Sequence, residues 1–346
     1  MRPGILPRVV ASLALLLPFA SLSALADEPH VSGPVVYGNL AVYFLHGAAT
    51  AGAVPQTLED AIAKGQVKVH ETGAVNDLTI ENIGDHEVFV QGGDIVKGGR
   101  QDRVLSVDLL LPPRSGLVSV AAFCVEPGRW TARGAEDASK FSSSTHAMPS
   151  HSAMLVIQSY AESLAATPSA PAPDPGKSQQ EVWSSVRAMQ DRLGHSVGQS
   201  VAEPTSPSSL QLSLESEKLK EAQAAYVAAL QSAGESGDDI VGYVYAINGK
   251  IKSGDVYTSN ALFRTMWRKL LAANVTEAIG EKSASAGSPP SLHDVEAFLA
   301  GAQTAPKSER NINANVRLVV AESNLLLYTE SRRADENWVH RKYVAK

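Results

Sequence analysis

The chain has 346 residues, of which 44% are hydrophobic and 19% charged, with a formal net charge of -6. That balance excludes a wholly disordered chain, a collagen and a coiled-coil rod, and the length fits one large domain or two. A negative chain is also a poor general nucleic-acid binder, because backbone phosphates repel it.

Residues 1–26 read as an export signal. Arg2 and Arg8 give a basic start, Val9 to Leu17 is a short apolar run, and Ala24-Leu25-Ala26 offers small residues for cleavage before Asp27. The run is too short for a permanent membrane anchor. Its removal would leave 320 residues at a net charge of -8, expected to be secreted or periplasmic with no membrane partner. Cys124 is the only cysteine, so no internal disulfide can form and stability must come from core burial.

From residue 34 the chain is rich in strand signals. Val35 to Tyr37 and Leu40 to Leu45 are strands about Gly38-Asn39. Thr57 to Lys64 is a short helix, capped by Thr57, with Glu59 and Asp60 in its first turn and Gly65 as its stop. Strands follow at Val67–His70, Leu78–Asn82 and Val88–Gln91, with Gly84-Asp85 as a hairpin turn. Val104–Leu111 and Leu117–Val125 are the two strongest strands, joined by the loop Pro112 to Gly116. Both are apolar on either face, as in covered strands.

The middle is helical: Ala153 to Leu164, Gln180 to Leu193, and Leu212 to Gln231. Three polar breaks rich in Pro, Ala or Ser interrupt the later chain, near 165–180, 196–209 and 281–291, and read as insertions. The last third is mixed. Ile240 to Asn248 is a strand, Asn248-Gly249 turns it into Lys250 to Lys252, and Gly254-Asp255 reads as a plain turn. Ser259 caps a broad-faced helix from Asn260 to Ile279. Asn315–Glu322 and Leu325–Glu330 form a hairpin, and Trp338 to Val344 adds an edge strand. The expectation is one α+β domain over 27–346: a β-rich first part, a helical middle, and a mixed last part that packs back on the first.

One stretch stands out for chemistry, from Gln91 to Arg103. The pairs Gly92-Gly93 and Gly98-Gly99 bracket a short apolar turn, and positions without side chains let backbone N–H groups approach a ligand. Lys97, Arg100 and Arg103 add cationic donors, with Gln101 among them. Asp94 and Asp102 add acids. A second stretch, Glu126 to Trp130, ends the Cys124 strand and contributes Arg129 and Trp130. From Lys97 to Arg133 six bases face three acids, a +3 segment in a negative chain, as an anion-binding surface would have. The guanidinium fork suits carboxylate or phosphate. Asp94, Asp102 and Glu126 are the candidate general bases. No phosphate loop or dinucleotide fingerprint is present. His146 and His151 lack metal-ligand register, so neither a metal nor a cofactor is expected.

Gly92-Gly93-Asp94, the run Gly98 to Arg103 and the run Cys124 to Trp130 resemble the family of ARG and rhodanese-phosphatase-superfamily-associated protein domains. Gly242 to Ile247, ahead of the Phe263–Trp267 helix, is similar to that family's later segment. The resemblance spans Tyr37 to Arg341. Arg100 stands where the family commonly has Lys, and Pro127 where it has a Gln-like residue. What the resemblance implies is a domain of unknown function with a link to ADP-ribose or phosphoester metabolism.

Three functions compete. The first is a binding module holding an anionic small molecule or glycan-like ligand at the Gly/Arg-rich hairpin, with Trp130 as a stacking wall. The second is a hydrolase of phosphoester or ADP-ribosyl bonds. The third is an envelope structural or interaction protein, which a large exposed apolar patch would mark.

Overall fold

The computed structural model describes residues 29–50, 52–131, 137, 139–165, 174–283, 287–335 and 337–346. The export signal, Arg133 and half of the first polar break, residues 166–173, lie outside them. The first part of the chain carries β1 (His30–Tyr37), β2 (Leu40–His46), β3 (Gln56–Thr57), α1 (Leu58–Ala63), β4 (Val67–Glu71), β5 (Asp77–Asn82) and β6 (Val88–Val90). It continues with β7 (Asp94–Gly98), β8 (Arg103–Leu105), β9 (Leu109–Leu111), β10 (Gly116–Cys124) and β11 (Phe141–Ala147). Four helices follow: α2 (His151–Ala165), α3 (Pro175–Val197), α4 (Leu210–Leu214) and α5 (Glu217–Ser236). The last part holds β12 (Ile240–Ile247), β13 (Lys250–Tyr257), α6 (Asn260–Gly280), α7 (Leu292–Thr304), β14 (Lys307–Asn311), β15 (Val316–Glu322), β16 (Leu326–Arg333) and β17 (Trp338–Ala345).

The fold is α+β, and its largest sheet joins the two ends of the chain. Eight antiparallel strands run β1-β2-β12-β13-β17-β16-β15-β14, so β2 pairs directly with β12, Tyr43 opposite Val244. A six-stranded sheet runs β11-β7-β8-β10-β5-β4, and β3-β6-β9 form a small third sheet. The turn at Asn248-Gly249 has positive φ at both residues, 52° and 78°, which is the backbone a two-residue hairpin needs.

α6 lies in the main core between the large sheet and the other helices. Phe263 and Trp267 pack against Phe44, Tyr243 and Tyr257 of that sheet, and the far end of α6, at Gly280, lies against Met189 and Leu193 of α3. Burial on nearly every side explains its broad apolar stripe. α7 covers the opposite face of the sheet, where Val295 packs on Tyr43 and Val244. Among the described residues no helix is long and apolar enough to cross a membrane.

Several expectations change. Gly84-Asp85 is not a hairpin turn: β5 pairs with β4 and β10, while β6 pairs with β3 and β9, so this turn carries the chain between sheets. Val104–Leu111 is two strands, β8 and β9, broken at residues 106–108 and placed in different sheets. Apolar runs look alike whether one sheet or two bury them. The 91–103 stretch holds no apolar turn between its glycine pairs; they sit at the two ends of strand β7. Gly254-Asp255 is mid-strand in β13, and β17 lies inside the large sheet between β13 and β16, not at its edge. α7 and β14 are additions that the polar composition around residue 291 hid.

Candidate functional site

β7 spans about 13 Å at an ordinary strand rise, and its two ends belong to different surroundings. At the outer end Gly98 and Gly99 have φ of 120° and 57°. Left-handed backbone favours glycine there, and side chains would run into Lys140, Phe141 and Glu71. Asp102 closes the turn by accepting from the Gly98 N–H at 2.9 Å. This corner gathers Arg100, Gln101, Asp102 and Arg103 from one turn, and Glu126, Arg129 and Trp130 from the end of β10.

The members differ in availability. Arg129 is taken up internally: it lies 2.6 Å from Glu126 and 3.4 Å from Asp102, and also donates to the carbonyls of Gly98, Gly99 and Thr131. Glu126 also accepts from Ser206 Oγ at 2.6 Å, and Asp102 from Ser209 Oγ at 3.2 Å. The 196–209 break thus latches onto the corner. Lys97 is paired with Glu215 at 2.6 Å. Gln101 is buried, donates to the Glu126 carbonyl at 3.4 Å, and has no partner for its Oε1.

Arg103 is different. It is fully buried, and its Nε donates to the Val75 carbonyl at 2.9 Å. Neither Nη1 nor Nη2 makes a hydrogen bond. Nη2 stands 3.8 Å from Glu71 Oε2, beyond hydrogen-bond reach, and that oxygen is also without a partner. Burial lowers the Arg103 pKa, against the pull of neighbouring Glu71 and Asp102. The Trp130 ring, 39% exposed, lies 5.8 Å from the Arg103 guanidinium and 5.7 Å from that of Arg100. Arg100 is exposed, anchored through its backbone N–H to Glu71 at 2.7 Å. Glu71, Ser206 and Ser209 are site residues that sequence spacing could not find, because they arrive from other elements.

At the inner end of β7, Gly92 and Gly93 face another environment. The Gly92 N–H donates to Asp108 at 2.7 Å, and a side chain on Gly93 would meet Met154. Asp94 is buried against Lys269 of α6 at 2.8 Å. Beside them lies a polar centre that the sequence reading missed. His340 is held by Asp108 on Nδ1 at 2.8 Å and by Asp255 on Nε2 at 3.1 Å, and Lys342 donates to Asp255 at 2.7 Å. Burial alone would lower the pKa of His340, but the two carboxylates outweigh it and raise it to about 9. As an imidazolium it donates from both nitrogens, so two cations balance two anions. The spacing of His340 and Lys342, two apart on β17, was the available signal. Two cavities of ≈20 and ≈30 Å³ adjoin this centre, sharing Gly92, Met154 and Lys342. Each has room for about one water.

Asp94, Asp102 and Glu126 are thus all engaged by cations. Cys124 is buried, and burial raises its pKa, which keeps the thiol protonated. His146 lies in β11 and His151 starts α2. Among the described residues no group of three or more His, Cys, Asp or Glu is placed to hold a metal ion.

Comparison with curated proteins and with solved structures found no match. A family model does match, over residues 28–344, and covers both ends of β7, the Arg103 corner and the His340 centre. The chain belongs to the ARG and Rhodanese-Phosphatase-superfamily-associated Protein domain family.

Proposed function

We propose that the protein is an exported binding module that holds a small anionic molecule, through a phosphate or carboxylate, at the corner of Arg100, Arg103 and Trp130. One observation carries this reading: Arg103 is fully buried while both its terminal nitrogens lack acceptors. Buried polar groups in folded proteins are nearly always hydrogen-bonded, and the nearby Glu71 carboxylate, at 3.8 Å, supplies a counter-charge without a hydrogen bond. An oxyanion bridging Nη1 and Nη2 would supply two parallel charge-assisted bonds. Arg100 adds a second charge and Trp130 an apolar cover. Binding is favoured over hydrolysis because the three candidate carboxylates already serve cations. The family description names a phosphatase superfamily, which puts phosphate compounds first among ligands to try.

Trp130 covers Arg103, so a ligand enters by displacing the indole, and fluorescence reports it. Titration with inorganic phosphate, citrate and nucleotide phosphates should give a saturable emission change and a raised Tm with at least one of them. Trp130→Phe should remove the emission change. Arg100→Ala should weaken binding at least about tenfold and leave the Tm of the free protein nearly unchanged. A panel without any response in emission or Tm would sink the proposal. Export rests on residues 1–26; the secreted product should begin at Asp27 on N-terminal sequencing.

A further inference from the structure

A separate cleft of ≈290 Å³ lies between α3 and segment 200–208, with Pro127 in its wall. Its size reaches the lower end of small-molecule sites, roughly 300–1,000 Å³. Trp183 and Val186 of α3 line one side, and Pro127 and Pro207 are also in the wall. The cleft is held open by fixed struts. The Gln190 side chain donates to the carbonyls of Pro207 and Ser209 at 3.1 and 3.3 Å and to Ser213 Oγ at 2.8 Å. Ser208 Oγ donates to the Pro127 carbonyl at 2.5 Å. Walls tied in this way are pre-organised, which reduces the ordering cost of binding.

Two opposite charges, Arg187 and Asp191, line the same cleft. They are four residues apart on α3, a spacing at which such side chains can pair. α5 shows comparable pairs closing, Lys218 on Glu221 at 2.9 Å and Lys220 on Glu217 at 2.7 Å. Arg187 and Asp191 make no ion pair or hydrogen bond with any described residue. A cleft that sets an indole and two prolines beside a solvent-facing cation and anion, neither paired among the described residues, is complementary to a molecule that carries both charges beside an apolar body.

We infer that this cleft binds a free amino acid with an aromatic side chain. Its carboxylate meets the Arg187 fork, its ammonium meets Asp191, and its ring packs against Trp183 and the prolines. Arg100, Arg103 and Trp130 do not line this cleft. Saturation-transfer NMR and calorimetry with L-phenylalanine test it. Phenylalanine should bind, while N-acetylphenylalanine and phenylalaninamide, each short of one charge, should bind at least about tenfold more weakly. Arg187→Ala and Asp191→Asn, both at exposed positions, should each weaken phenylalanine binding by a similar factor. Arg100→Ala should leave it unchanged, which separates this site from the anion corner. Absence of binding at concentrations on the order of 10 mM overturns the inference. Equal binding of the singly charged derivatives, or unaltered binding by both variants, also overturns it.

Discussion

Arg129 and Arg103 share one corner and differ in what surrounds them. Arg129 is nearly buried, and its charge is matched by Glu126 and Asp102, which are both fully buried. Replacing it by Met fills the space and strands two carboxylates away from water. Removing one partner of a buried ion pair typically costs about 3–5 kcal/mol, and Arg129→Met should lower the unfolding free energy in urea by that order. A loss below about 1 kcal/mol, the range of exposed pairs, would show that the corner is hydrated and that Arg129 is no brace. Gly98 and Gly99 belong to the same brace, since their left-handed backbone and the close approach of Phe141 leave no space for a side chain. Arg129 satisfies Glu126 and Asp102, so of the acids around Arg103 only Glu71 faces its free terminal nitrogens.

At the scale of elements, α6 connects the helical layer to the sheets through polar residues on an otherwise apolar helix. Lys269 reaches Asp94 on β7, and Glu277 reaches the start of α2. Glu277 accepts from the His151 N–H at 2.6 Å and from Tyr245 OH at 2.7 Å. Burial raises its pKa to about 7, against these two donors; Glu281 raises it further and Lys252 lowers it. A folded acid that holds its proton from its ordinary 4.5 up to 7 loses stability as pH rises through that window, and the full cost is present above 7. Glu277→Gln keeps the acceptor for His151 and removes the charge. It should stabilise the protein at pH 8, by on the order of 3 kcal/mol, and change little at pH 4.5. A gain that is the same at both pH values would mean that the carboxyl does not titrate in this range. Such couplings explain what the sequence could and could not reveal. The apolar stripe of α6, the Thr57 cap and the Asn248-Gly249 turn are local signals, and each element formed where its signal lay. The break at 106–108 and the interior place of β17 are set by which sheet accepts each strand, a non-local choice. The candidate site was legible in part for the same reason. Arg100, Arg103, Arg129 and Trp130 do meet, but Glu71, Ser206 and Ser209 reach the corner across 29 or more positions in the chain.

For the molecule as a whole, the His340 centre ties the three sheets together. His340, Lys342 and Asp255 stand on β17 and β13 of the large sheet. Asp108 comes from the link between β8 of the six-stranded sheet and β9 of the small one, and Gln91 follows β6. His340 faces Asp108 and Asp255, stacks on Tyr257 at 4.8 Å, and has Phe89 at 5.7 Å. Its folded pKa, about 9 against 6.5, makes its contribution complete below 6.5 and lost as pH rises to 9. On the acid side other groups act in the opposite sense. Burial lowers His146 to about 4 and lowers His151 as well, so the unfolded chain takes up these protons first as pH falls below 6.5. Asp108 and Asp255, held below the usual carboxylate range chiefly by His340 and Lys342 against the effect of burial, add a further loss in stronger acid. Glu277 and Glu59, whose pKa burial also raises, act against the two histidines on this side. On the alkaline side the stability of the whole protein should therefore fall by on the order of 2–3 kcal/mol between pH 6.5 and 9. Urea unfolding across that range measures it. His340→Gln should lower the stability at pH 6.5, because Asp108 and Asp255 lose their shared cation, and should flatten the alkaline limb. An alkaline limb as steep in the variant as in the parent would place the titrating group elsewhere and remove His340 from its place as the charged link between the sheets.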